Sequence, residues 1–145
     1  MQPRSARIRA ARPTDAAALA VLSTELGHAL TEAQVRRRLR LLDDPERELI
    51  VVDAPDGLAR FMDIPVRRFV QTDPFGEIEG LVVAKPHRGR GLGRALLVVA
   101  AAWCLERAVE EMWIRANLFR LGAHEFYGAI GCRVVRDLRM YAYPL

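Results

Sequence analysis

Apolar residues follow two different spacings along the chain, and these spacings predict a mixture of helices and strands. Runs rich in branched apolar residues, typical of buried strands, occur at 8–12, 48–53, 58–70, 76–84, 112–116, 132–135 and 138–143. Apolar positions at helical spacing follow Thr14, Thr31, Gly91 and Arg120. The order β, α, α, β, β, β, α, β, α, β, β contains no repeat and predicts a single α/β domain over residues 1–145.

Local signals predict where several of these elements begin, end or bend. Thr14 is a candidate N-cap of the first helix and Gly27 its end, and Thr31-Glu32-Ala33-Gln34 forms a capping box. Pro65 predicts an edge position or a bulge in its strand, since proline lacks the backbone N–H that a central strand donates. Gly80 predicts a second bulge.

Composition and charge narrow the class of protein. Of 145 residues, 51% are hydrophobic and 28% charged, which indicates a packed core and excludes a disordered chain. Trp103 and Trp113 are most simply core residues. No apolar run has the roughly 18 residues of a membrane span, and the N-terminus lacks an apolar signal-peptide region. We therefore expect a cytoplasmic protein without a membrane partner.

The net charge of +4 raises the question of nucleic-acid binding. The densest basic cluster, Arg36 to Arg40, alternates with Val35, Leu39 and Leu42 and contains no aromatic side chain that could stack on a base. A solvated helix face is the favoured interpretation, and a nucleic-acid patch the less favoured one.

Cysteine and histidine give little sign of metal chemistry. Cys104 and Cys132 have no ligand partners at zinc spacing and are expected to be buried small hydrophobes. His28, His87 and His124 are scattered along the chain. The sequence predicts no metal site.

The strongest chemical signal is a glycine-rich turn between an apolar strand and a helix, at residues 82–96. A helix start leaves backbone N–H groups without acceptors and carries the positive end of the helix dipole. Glycines would allow a ligand to approach this backbone closely, and arginines add positive charge; the residues are Gly89, Gly91 and Gly93 with Arg88, Arg90 and Arg94. The turn predicts an anion site suited to phosphate or pyrophosphate.

Two common nucleotide motifs do not fit this turn. A P-loop requires a glycine followed by Lys and then Ser or Thr, and none of these glycines is. The dinucleotide pattern G-x-G-x-x-G/A places Arg94 or Leu96 at its last position, depending on the glycine counted first. The turn also follows the fourth predicted strand instead of the first, which disfavours a Rossmann domain.

The segment Arg88-Gly89-Arg90-Gly91-Leu92-Gly93 resembles the acetyl-CoA signature [Q/R]-x-x-G-x-[G/A] of the GNAT N-acetyltransferase family. Downstream, Ala123, Tyr127 and Gly131 match the family pattern A-x-x-x-Y-x-x-x-G, although Cys132 replaces its usual following aromatic. The resemblance extends over essentially the whole chain. It implies a mixed, mostly antiparallel central sheet with splayed fourth and fifth strands and helices on both faces.

The resemblance also implies catalytic roles. Glu77 and Glu79 lie on one face of a strand by alternation, and Glu77-Ile78 stands eleven residues before Arg88, as the general base does in histone-type members. Glu77 is the first candidate base and Glu79 the second; an exposed structural carboxylate is an equally weighted alternative. Tyr127 would protonate the leaving thiolate, with a core tyrosine beside Phe126 as the alternative.

Further residues are implied as coenzyme ligands. Leu81 and Val83 would pair with the pantetheine arm through backbone groups, and Asn117 would bind the coenzyme or, alternatively, cap a loop. The implied cofactor-binding set is Leu81, Val83, Arg88, Gly89, Arg90, Gly91, Leu92, Gly93, Arg94 and Asn117.

The predicted function is direct transfer of an acetyl group from acetyl-CoA to a primary amine of a small molecule or peptide, without a metal. A non-catalytic acyl-CoA-binding module of the same fold is the alternative. Aminoglycosides, polyamines, amino acids, protein N-termini and lysines all stay open as acceptors. The helix from Gly91 to about Ala108 is apolar on nearly every side, which predicts burial on more than one face and, with the apolar C-terminal strands, a homodimer.

Overall fold

The structure is a computed structural model that describes residues 6–25, 27–79, 81, 89 and 91–145. The chain divides into two compact units, Met1–Ile114 and Arg115–Leu145. Among the described residues, the first unit contains a sheet and three α-helices, and the second contains one α-helix.

The described part of the first unit forms strands and helices. They are β1 (Arg7–Ala10), α1 (Ala16–Glu25), α2 (Glu32–Leu39), β2 (Arg47–Ala54), β3 (Gly57–Phe69), β4 (Thr72–Ile78), α3 (Leu92–Leu105) and β5 (Met112–Ile114). Short 3-10 turns precede α1 at Pro13–Asp15 and follow α2 at Arg40–Asp43. None of the helices in the described ranges is long and apolar enough to cross a membrane.

The five strands form one sheet in the order β1-β2-β3-β4-β5. The first three pairings are antiparallel, and β5 pairs parallel to β4 over Gly76↔Met112 to Ile78↔Ile114. The mixed, mostly antiparallel sheet that the resemblance implies is therefore confirmed.

Pro65 does not lie on an edge strand, since β3 is hydrogen-bonded on both sides, and that expectation is wrong. The strand accepts a proline because its pairing changes there: the β2 register ends at Arg47↔Pro65, and the continuous β4 register begins at Val66↔Gly76. A missing N–H interrupts a ladder least at such a boundary. The bulge predicted at Gly80 falls outside the described residues.

Helices cover both faces of the sheet. On one face, α1 and α2 bury Leu19, Ala20 and Val35 against Val51 of β2. On the other face, α3 approaches β4 so closely that a Cβ on Gly76 would lie 2.5 Å from Cys104 Sγ. The helix α3 buries only one side, however: Val98 is 65% exposed, so the prediction of burial on more than one face is wrong.

The helix ends mostly follow the local signals. Thr31 Oγ1 accepts the Gln34 N–H at 3.2 Å and Gln34 Oε1 accepts the Thr31 N–H at 2.9 Å, which confirms the capping box. Gly27 ends α1 with a φ of +92°, and the His28 N–H bonds back to Ser23 O at 2.8 Å. Thr14 does not cap α1, because it lies inside the 3-10 turn Pro13–Asp15 that leads into the helix; the N-cap is Arg12, whose N–H donates to the Asp15 carboxylate at 2.7 Å.

The second unit contains α4 (Leu121–Ala129), as the pattern predicts, but its tail differs from expectation. The two strands expected at 132–135 and 138–143 are wrong, because residues 132–145 form neither strand nor helix. Cys132 is exposed and not buried. Alternating apolar residues favour a strand only where another strand supplies hydrogen bonds, and sequence alone does not specify that partner.

Candidate active site

The N-terminus of α3 has the geometry of an anion site. Gly89 and Gly91 have φ angles of +75° and +73°, in the left-handed region that glycine adopts without strain, and a Cβ added to either would meet no atom of the described residues within 4 Å. Gly91 is the N-cap and has no side chain that could accept the first N–H groups of the helix. The backbone N–H groups of Leu92, Gly93 and Arg94 therefore have no acceptor within the helix.

Charge at this helix start favours an anion as well. The positive end of the α3 dipole lies here, and the exposed Arg94 side chain is in the first turn. The residues present thus fit a phosphate or diphosphate group. Leu81 is buried, while the predicted ligands Val83, Arg88 and Arg90 lie outside the described residues.

Glu77 and Glu79 lie on one face of the sheet beside Arg67 of β3. Arg67 Nε donates to Glu77 Oε2 at 2.8 Å, and Arg67 Nη2 lies 3.7 Å from Glu79 Oε1. The Glu77 side chain is only 10% exposed and that of Glu79 is 37% exposed. A buried carboxylate in an ion pair is held in one position, whereas the Glu79 carboxylate is open to solvent.

A second ion pair, between Arg47 of β2 and Asp63 of β3, lies next to Arg67, Glu77 and Glu79 on the sheet. Arg47 donates from Nε to Asp63 Oδ1 at 3.0 Å, and this carboxylate raises the pKa of the Arg47 guanidinium. Asp63 and Glu79 exchange backbone hydrogen bonds of 3.1 and 3.0 Å, so their side chains lie on the same face. We call Arg47, Asp63, Arg67, Glu77 and Glu79 the ion cluster.

An aromatic pair borders the ion cluster at β5. Trp113 stands opposite Glu77 in the parallel register, and its ring stacks on Phe75 with centroids 4.0 Å apart. Trp113 Nε1 donates to Glu111 Oε1 at 3.0 Å. Trp103 is buried as predicted, whereas Trp113 is only half-buried.

Sequence reasoning missed Arg47, Asp63 and Arg67 as members of this site. The available signal was the antiparallel hairpin of β3 and β4, because residues placed opposite each other share a face. Using this signal requires knowing how β3 and β4 pair, and the proline at position 65 left that strand register undetermined.

In the second unit, Tyr127 of α4 is half-buried, and its ring meets that of Phe126 edge-on at 5.4 Å. Asn117 Oδ1 accepts the Phe119 N–H at 3.0 Å, which is the loop-capping arrangement. His124 Nε2 lies 3.0 Å from Asn117 O and 3.2 Å from Leu118 O. The predicted roles of Tyr127 in proton transfer and of Asn117 in coenzyme binding stay predictions.

Metal ligands do not cluster within the described ranges, where no group of three His, Cys, Asp or Glu side chains could hold an ion. The free thiol of Cys104 is buried between α3 and the sheet, and burial raises its pKa.

Known proteins resemble this chain in both sequence and fold. The model of the acetyltransferase (GNAT) family matches residues 17–131. An aminoglycoside N(6')-acetyltransferase type 1 of Stenotrophomonas maltophilia is 28% identical over 143 residues, covering 95% of this chain and 93% of that protein. The N-alpha-acetyltransferase MAK3 of Arabidopsis thaliana is 39% identical over 70 residues, which are 48% of this chain and 36% of that protein.

Among solved structures, the aminoglycoside 6'-N-acetyltransferase AAC(6')-Ih of Acinetobacter baumannii superposes with a TM-score of 0.82. It is 16% identical, with 97% of this chain and 99% of that chain covered, so this likeness concerns the fold alone. The family match spans most of the chain and includes both the glycine turn and the ion cluster. The chain therefore belongs to the GNAT family and is an acetyl-CoA-dependent N-acetyltransferase.

Proposed function

We propose that the protein holds the diphosphate of acetyl-CoA at the N-terminus of α3 and transfers the acetyl group to a primary amine of a small molecule or peptide. The observation that carries this proposal is the α3 N-terminus, where the N-cap Gly91 and the nearby Gly89 are both left-handed and the Arg94 side chain is exposed. Backbone N–H groups of Leu92 and Gly93 would bind the phosphate oxygens.

The amine must lose a proton before it attacks the thioester carbonyl, because a free alkyl ammonium titrates near about 10.4. Glu77 is the proposed base, directly or through one water, with Glu79 as the second candidate. Arg67 fixes the Glu77 carboxylate at 2.8 Å and so limits the positions from which it can take this proton.

Acetyl-CoA supplies the acetyl group as the cosubstrate. As the amine nitrogen bonds to the carbonyl carbon, the carbon–sulfur bond breaks, and Tyr127 would donate its phenolic proton to the departing sulfur. Backbone groups of Leu81 and Val83 would orient the pantetheine arm and polarise the thioester carbonyl. The first amine proton, taken by Glu77, then returns to solvent, and the second proton, which the nitrogen loses as the amide forms, replaces through solvent the one that Tyr127 gave to the sulfur.

Calorimetric titration with acetyl-CoA tests the binding step. Gly91→Ala forces a left-handed alanine at the N-cap and adds a methyl beside the N–H groups, so we expect at least tenfold weaker binding. Gly57→Ala is the matched control, since Gly57 also has a positive φ, +127°, in open space but lies in the β2–β3 turn. Equal affinity in the wild type and Gly91→Ala would refute the proposed location.

Turnover tests the proton-transfer roles. Glu77→Gln and Tyr127→Phe should each lower kcat by about 10²-fold or more, with little change in the Kd of acetyl-CoA. A thiol-release assay on a panel of amines measures kcat for the wild type and both variants. Unchanged, slow transfer in both variants would instead indicate a module that binds acyl-CoA without catalysis.

We further propose that the enzyme acts in the cytoplasm and forms a homodimer. The homodimer is supported by two apolar residues that are exposed on α3, Val98 at 65% and Leu105 at 64%. Light scattering on wild type and Val98→Asp would test it, because a charge at such an interface should yield monomers.

A further inference from the structure

The side of α2 that points away from the sheet carries the densest basic cluster of the chain. Val35 is buried on the inner side of the helix, where it packs against the sheet. Arg37, Arg40 and Leu41 are three and four residues apart, so they are neighbours on the outer side, and Arg38 lies beside them. All four are exposed, Leu41 to 60%. We call Arg37, Arg38, Arg40 and Leu41 the arginine face.

The three arginines of this face differ from the other arginines around the sheet in their contacts. Arg36, just before them, pairs with Glu32. Arg37, Arg38 and Arg40 form neither a hydrogen bond nor an ion pair with any residue that the structure describes. The arginines of the strands that bind carboxylates are Arg9, Arg47, Arg67 and Arg68. The guanidiniums of the arginine face are therefore available to an anion from outside the chain.

The positive segment is short and is bounded by carboxylates. From Arg36 to Arg40 the helix advances about 6 Å. Glu32 precedes this segment, and Asp43 and Asp44 follow it, all of them exposed. A nucleic-acid strand carries a phosphate about every 3.4 Å, so roughly two phosphates would fit before the strand reached these carboxylates. The segment therefore favours a ligand with a compact group of negative charges over a long polyanion.

The exposed Leu41 indicates that the ligand also has an apolar group. Leu41 lies next to Arg37 and Arg38, four and three residues away. An exposed leucine gains from contact with an apolar side chain, which a sugar-phosphate backbone does not supply. The planar guanidinium group, in turn, matches the two oxygens of a carboxylate. A peptide with several carboxylates around one apolar side chain complements both features.

We propose that the arginine face is a docking surface for an acidic peptide segment of another protein, in which carboxylates flank an apolar side chain. Clustered arginines are a general means of binding acidic motifs. This surface extends beyond the proposed reaction site. A largely apolar cavity of about 280 Å³ lies on the inner side of α2, and Asp63 of the ion cluster is in its lining. Arg38 and Leu41 also line that cavity, whereas Arg37 and Arg40 do not.

Fluorescence anisotropy with a labelled, blocked peptide of sequence SEELEELS tests the docking directly. The wild type should bind it, and raising NaCl from about 50 to 500 mM should weaken binding about tenfold or more, because exposed guanidiniums are screened by salt. The peptide SQQLQQLS should not bind, and SEESEESS should bind about threefold to tenfold more weakly than SEELEELS. No binding of SEELEELS at low salt, or equal binding of all three peptides, would overturn the inference.

A labelled oligouridylate of twelve nucleotides distinguishes peptide docking from nucleic-acid binding. At about 150 mM NaCl it should bind about tenfold more weakly than SEELEELS, because its phosphates extend past the arginines and it has no side chain for Leu41. Equal or tighter binding would show that the surface recognises a polyanion and would overturn its assignment to a peptide.

Two double variants connect binding to the arginine face. Arg37→Glu/Arg40→Glu should bind SEELEELS at least tenfold more weakly, with less than a twofold change in the Kd of acetyl-CoA. Arg7→Glu/Arg12→Glu is the matched control, because it changes the net charge equally at two other exposed arginines of the first unit and should keep the wild-type affinity for the peptide. An equal loss in both double variants would show a general effect of net charge and would refute the docking surface.

Leu41→Ser tests the apolar part of the proposed contact. This variant should bind SEELEELS about threefold to tenfold more weakly than the wild type does, but SEESEESS with the same affinity. Leu41 is exposed, so thermal melting should show an unchanged Tm. An equal loss of affinity for both peptides, or no loss for either, would contradict the role of Leu41.

Discussion

The close packing of α3 against the sheet at Gly76 can be tested quantitatively by mutation. Gly76 is buried in β4, and a Cβ added there would lie 2.5 Å from Cys104 Sγ, against 3.4–4 Å for ordinary contact. The same Cβ would lie 3.7 Å from Ile64 Cγ2 and 3.8 Å from Met112 Cγ, both acceptable. A single sulfur atom therefore accounts for the requirement for glycine.

Gly76→Ala should lower the free energy of unfolding by about 1–3 kcal/mol, the usual cost of overpacking a core, because either α3 or β4 must shift by nearly 1 Å. For a domain of this size that corresponds to a fall in Tm of roughly 3 to 9 °C. The Kd of acetyl-CoA should rise as well, because the shift moves the helix whose N-terminus is the proposed diphosphate site.

The double variant Gly76→Ala/Cys104→Ala makes the test specific. With the sulfur removed, the added methyl group should cost nothing, or gain up to about 1 kcal/mol from the reduced entropy of the unfolded chain. Urea denaturation of wild type, both single variants and the double variant gives the coupling energy, expected at about 1–3 kcal/mol. A destabilisation by Gly76→Ala that is as large without the sulfur as with it would refute the packing argument.

Three further predictions concern charge and capping. Asp15→Asn should lower the free energy of unfolding by about 2 kcal/mol, since Arg9 donates to this carboxylate at 2.8 and 2.9 Å. Because these bonds lower the pKa of Asp15, their stabilisation is complete above about pH 4 and is lost as the pH falls further. Acid denaturation should therefore show a weaker pH dependence in the variant than in the wild type. Arg67→Met should lower the free energy of unfolding by about 1–3 kcal/mol, because the Glu77 carboxylate loses its ion pair with Arg67. In urea titrations, the double variant with Glu77→Gln should recover part of this loss. No recovery would contradict the pairing. Thr31→Ala should cost about 1 kcal/mol through the lost capping box, whereas Glu32→Ala, which removes only the exposed pair with Arg36, should cost less than about 0.5 kcal/mol by thermal melting.

The C-terminal tail shows where a local pattern is insufficient. The segments 132–135 and 138–143 carry the alternating apolar residues of strands but form none in the structure. The start of the first helix also differs from its local signal: Thr14 is a favourable capping residue, yet it lies inside the 3-10 turn Pro13–Asp15, in which Arg9 of β1 binds the Asp15 carboxylate.

The sequence by itself determined the features that depend on neighbouring residues: the capping box at Thr31, the glycine end of α1 at Gly27, and the glycine turn that opens α3 at Gly91. Backbone hydrogen bonds and left-handed dihedrals within a few residues are sufficient for these. Only the tertiary structure decided that Arg67 clamps Glu77 and that Asp63 connects a carboxylate face to an apolar cavity. Those contacts depend on the register of β2, β3 and β4, which is set by the burial of whole strand faces and therefore by the packing of the sheet against its helices.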